Sequence, residues 1–144
     1  MFFNQNRDQL RQSFFDVWQK QLAKQPLTSL EEIIAGVITM HPEYHKVLMD
    51  KEQSSARDYS PEQGESNPFL HMGMHIALHE QISTDRPAGI RDVARGLLAK
   101  HKEAHEVEHM MIELLGEEMW RSQRYNVLPD EQRYLGQLQE LLEK

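Results

Sequence analysis

All eight histidines of this sequence fall into three sets, His41 and His45; His71, His75 and His79; His101, His105 and His109, and within each set the spacing is four. Placed independently, the histidines would form roughly 0.4 pairs at that spacing, whereas five are present, so the pattern belongs to the fold and not to chance. Residues four apart lie about 40° apart around an α-helix and one turn apart along it, which lets two imidazoles reach a common point. A chain with this pattern is expected to be helical through its histidine segments.

The remaining residues carry helix signals and no strand signals. A first helix is expected from Asn6, a good N-cap, to about Lys24, with Leu10, Phe14, Val17 and Trp18 as its apolar stripe and Pro26 as its stop. A second opens at Ser29, whose spacing to Glu32 fits a capping box, and carries Leu30, Ile33, Ile34, Val37 and Ile38. His41-Pro42 ends it, and Pro42 starts a short helix from Glu43 to about Met49. Residues 50–66 are polar, fit no period and read as a surface loop. Asn67-Pro68 restarts the helix, which runs to about Ser83. Further helices are expected from about Pro87 through Leu98, from His101 to about Arg124 with a break near Lys100, and from near Asp130 through Leu142. The expected fold is all-α: a single domain, residues 1–144, forming a bundle of about six helices with no sheet. A hydrophobic content of 39% supports one packed core in a chain of this length.

On such helices the imidazoles face inward. Taking His71 as origin, His75 and His79 stand at about 40° and 80°, while Leu78 and Ile82 stand at about 340° and 20°. On the His101 helix, Ile112 and Met119 fall in line with His101, and Glu113 follows His109 by four residues. Burying one unpartnered imidazole costs a few kcal/mol, and burying six to eight would consume most of a small domain's roughly 5–15 kcal/mol of stability. A metal ion resolves that cost and turns it into binding energy. With no cysteine in the chain, the ligands must be His, Asp or Glu. The candidates are His41, His45, His71, His75, His105, His109 and Glu113, for one or two divalent or iron-type ions among zinc, iron, manganese, nickel and copper. An open coordination position would take dioxygen, peroxide or hydroxide, giving redox or hydrolytic chemistry on an unidentified small molecule, with Glu106 as the nearest candidate general base.

Competing readings use the same residues. Hydrogen-bonded core histidines in a non-enzymatic interaction protein are one, and reversible metal storage or sensing is another. His105-Glu106-Val107-Glu108-His109 is literally H-E-x-x-H, the helical zinc site of metallopeptidases. Glutamate is abundant here and no strand is expected beside that helix to hold a peptide, so this reading ranks last. The two Glu-x-x-His copies of ferritin-like di-iron bundles are half met, by Glu106 and His109. Haemerythrin-like bundles offer an analogy of ligand type alone.

Composition narrows the partners. A formal charge of -7, from 16 Lys+Arg against 23 Asp+Glu, argues against nucleic acid. No stretch is long and apolar enough for a bilayer, and the N-terminus lacks a secretory pattern, so a cytoplasmic location is the expectation. The candidate partners are a metal ion, a small molecule and, as a homo-oligomer, a second copy of the chain.

His41-Pro42-Glu43-Tyr44-His45, Asn67-Pro68-Phe69-Leu70-His71 with His75, Glu80-Gln81, Arg86-Pro87-Ala88-Gly89-Ile90-Arg91, and Trp120 with Gln123-Arg124, Pro129-Asp130 and Tyr134 resemble an uncharacterised bacterial family, the domain of unknown function DUF1841. The likeness spans nearly the whole chain. It implies a small intracellular bacterial protein and brings no activity with it. His79 and His101 fall outside the family pattern, which moves weight to the other six histidines.

Overall fold

The computed structural model describes residues 7–51 and 67–144. Among them are seven α-helices: α1 (Arg7–Leu22), α2 (Ser29–Thr39), α3 (His45–Met49), α4 (Pro68–Thr84), α5 (Ile90–His101), α6 (Ala104–Tyr125) and α7 (Glu131–Glu143). A 3-10 turn, Pro42–Tyr44, precedes α3, and the described residues contain no strand. The all-helical class is as expected, with one more helix than the approximate six. The expected cap at Asn6 and most of the expected loop lie outside the described residues. No helix among those described is long and apolar enough to cross a membrane.

The chain divides into two compact units after Ala77, within α4. In the first unit, α1 buries Phe14, Val17 and Trp18, the stripe its periodicity predicts, with Leu10 packed against the same core. Ile34, Val37 and Ile38 of α2 and Phe69, Met72 and Ile76 of α4 complete that core. The Phe69 ring lies 6.0 Å from that of Phe14 and 5.8 Å from that of Phe15. Arg11 is also buried, its guanidinium 4.8 Å from the centre of the Phe69 ring, a cation–π contact the periodicity did not signal.

The cap of α2 differs from expectation by one residue. Thr28, not Ser29, caps it: Thr28 Oγ1 accepts the Glu31 N–H at 3.2 Å and Glu31 Oε1 accepts the Thr28 N–H at 2.9 Å. Two overlapping boxes are present in the sequence, and the one chosen lets Glu31 also accept a hydrogen bond from Lys20 Nζ of α1 at 2.5 Å. A T28A protein is expected to lose about 1 kcal/mol of stability and T28S almost none, measured by urea unfolding. Asn67 caps α4 as read from the sequence, its Oδ1 accepting the N–H groups of Phe69 and Leu70 at 3.0 and 3.2 Å.

In the second unit α5, α6 and α7 each pack against the other two. They bury Ile90, Val93 and Leu97; Val107, Met111, Ile112 and Leu115; and Tyr134, Leu135 and Leu138. Gly96 sets the approach of α5 to α7, since a Cβ there would lie 2.8 Å from Leu142 Cδ2. The buried Tyr134 hydroxyl donates to Gln81 Oε1 at 2.9 Å. The helix expected from about Pro87 begins instead at Ile90, because Asp85 organises the turn ahead of it. Asp85 Oδ1 accepts the N–H groups of Gly89 and Arg91 at 3.2 and 3.0 Å, while Arg91 donates back to the Ile82 and Ser83 carbonyls.

The Arg91 N–H, more than any other contact, holds the Asp85 carboxyl below its ordinary pKa of 3.8. A depressed folded-state pKa stabilises above the unfolded value, and that stabilisation is lost as the pH falls through the folded value. The stability gap between wild type and D85N is therefore expected to be full above pH 3.8 and to close below it, as urea unfolding at a series of acid pH values would record.

Candidate metal centre

Pro42 sets the geometry of the first two histidines. It has no N–H, so the Ile38 carbonyl lacks the donor that a continuing helix would supply four residues on. The His41 N–H at 3.0 Å and the His45 Nε2–H at 2.9 Å take its place. The His45 ring also packs on Trp18, centroids 4.6 Å apart. His45 thus closes the end of α2.

His41 is turned differently. Its Nδ1 lies 2.7 Å from the Val37 carbonyl, which can only accept, so Nδ1 carries the proton and Nε2 keeps its lone pair. A ring oriented by a backbone carbonyl in this way is the usual arrangement of a metal-binding histidine. His41 is 2% exposed and His75 0%, whereas His71 is half-buried.

The rings of His41, His71 and His75 face one another edge-on. Centroids are 5.0 Å apart for His41 and His71, 4.7 Å for His41 and His75, and 4.8 Å for His71 and His75. His71 Nε2 and His75 Nε2 stand 3.2 Å apart, so either one of them carries a proton or a cation sits on their shared edge. Three histidines of the first unit cluster: His41, His71 and His75 each offer one nitrogen, and these atoms all lie within 4.8 Å of one another. The described residues contain no second group of three or more such ligands.

In the second unit, His109 is half-buried on α6. His105 is exposed at the start of α6, its ring 4.2 Å from that of His109. Glu106 and Glu113 are both exposed on α6, so the inward turn expected for Glu113 is not observed. Each step of four rotates about 40°, and from His105 to Glu113 the stripe drifts by about 80°, off the buried face. His79 donates from Nε2 to Glu108 Oε1 at 3.0 Å, a bond that holds its pKa above the usual histidine value. His101 is half-buried at the end of α5.

Tyr44 is the residue beside the site that spacing arguments missed. Its ring stacks on His41 at 5.4 Å, nearly parallel, and meets His71 edge-on at 6.2 Å. Burial and then the charge of Glu43 raise its pKa, so the phenol is neutral. The signal was local: Pro42–Tyr44 forms a 3-10 turn, which places Tyr44 three residues from His41 on the same side.

Neither a curated protein nor a solved structure matches the chain. The family described as "Domain of unknown function (DUF1841)" matches residues 6–140, so the chain that carries this histidine group belongs to that family.

Proposed function

We propose that this is a metal-binding protein whose centre is one transition-metal ion held by His41, His71 and His75 of the first unit. The observation that carries the reading is the convergence of three ligand nitrogens of the first unit within 4.8 Å. Two nitrogens at about 2.0–2.1 Å from a tetrahedral zinc stand about 3.3 Å apart, close to the 3.2 Å between His71 and His75. An all-imidazole set suits zinc, copper, nickel or iron better than magnesium, calcium or manganese. With no carboxylate in the group, it supports one ion and not a bridged pair. Three nitrogens leave one position on a tetrahedral ion and three on a six-coordinate ion for dioxygen, peroxide or hydroxide.

The second reading, hydrogen-bonded core histidines, is favoured by one observation: His41 and His45 already donate to backbone carbonyls. Elemental analysis of protein purified without an affinity tag separates the two. About one metal equivalent, lost in H71A, supports the centre. Metal-free protein whose melting temperature ignores zinc, copper, nickel and iron would leave the hydrogen-bonded reading in its place.

A further inference from the structure

We propose that the cleft between the C-terminal turns of α6 and the first turns of α7 binds a small aromatic carboxylate. The cleft encloses about 310 Å³ and is lined by Trp120, Arg121, Tyr125 and Arg133, with Glu117 and Glu118 on its α6 wall. Pockets for small molecules run from about 300 to 1,000 Å³, so this one fits a ligand of one or two rings.

Glu118 is 4% exposed, and both its oxygens accept from Arg121 Nε, at 3.0 and 2.9 Å. A buried carboxylate gripping Nε fixes the guanidinium plane and leaves the two terminal nitrogens as a preset fork. That fork forms no hydrogen bond among the described residues, nor does the guanidinium of Arg133. A guanidinium edge matches a carboxylate through two parallel N–H···O bonds. Trp120 and Tyr125, 61% and 63% exposed, offer aromatic faces at the same cleft. Aromatic surface beside an unused guanidinium suits a ligand with one flat apolar end and one anionic end. Glu117, Asp130 and the net charge of -7 disfavour a dianion, which selects a carboxylate over a phosphate.

Two-dimensional NMR of the nitrogen-labelled protein tests this, with benzoate as probe and neutral benzamide as its isostere. Benzoate is expected to shift the Trp120 indole and Arg121 Nε signals in a saturable manner while Trp18, buried in the other unit, stays still. Benzamide is expected to leave them in place. R133Q, at an exposed side chain whose removal leaves no buried partner, should keep the fold and weaken benzoate binding about tenfold. Equal shifts with benzoate and benzamide, no saturable shift with either, or unchanged affinity in R133Q would each overturn the proposal.

Discussion

An H75L protein is expected to lose the metal response completely while its metal-free form melts no lower than metal-free wild type. His75 is wholly buried, and leucine has a similar volume but asks for no hydrogen-bond partner, so the apo core tolerates the exchange. The effect on the loaded protein is large. A ligand at 100 times its dissociation constant stabilises by about 2.7 kcal/mol, which for a chain of this size raises the melting temperature by roughly 5–10 °C. Wild type should show that rise with the preferred ion and H75L none, read by differential scanning fluorimetry with and without metal. A rise retained in H75L would remove His75 from the centre. H75A is the less informative variant, because its cavity destabilises both forms.

F69A carries the second large effect. Phe69 lies in the first turn of α4, two residues before His71, is 1% exposed, and is the ring on which Phe14, Phe15 and Arg11 converge. Truncating a phenylalanine so placed costs about 3–5 kcal/mol, whereas F69L, which refills most of the volume, should cost less than about 1.5 kcal/mol. Against a typical total of roughly 5–15 kcal/mol, F69A leaves the first unit marginal. Urea unfolding followed by circular dichroism measures the difference, and a loss below about 1 kcal/mol would contradict the observed core. Because α4 carries both His71 and His75, F69A is also expected to weaken metal binding through the helix that orients them.

What the sequence made legible is what depends on neighbours in the chain. The helical class followed from apolar periodicity, and the start of α4 from Asn67-Pro68, since a cap and a missing N–H act within one turn. His71 and His75 were legible as a pair because one continuous helix holds them. His41 and His45 share the same spacing but not the same helix: Pro42 interrupts the backbone, and its missing N–H gives the His45 ring a carbonyl to close. Spacing alone could not tell a ligand from a cap. On α6, His105 and His109 differ in exposure although one turn separates them, because packing decides which turn of a helix is covered. Thr28 and Ser29 begin overlapping capping patterns, and a partner eleven residues from Glu31, Lys20, goes with the one that forms. Tyr44 was hidden for the opposite reason, its place on His41 being fixed by a three-residue turn too short to show a period.

The central claim is that imidazole nitrogens meet on a single ion, and X-ray absorption at the metal edge of the loaded protein reads this directly. With zinc, the spectrum should show at least three nitrogen neighbours at about 2.0–2.1 Å with the outer-shell scattering of imidazole rings. An oxygen-only shell without ring scattering would contradict it.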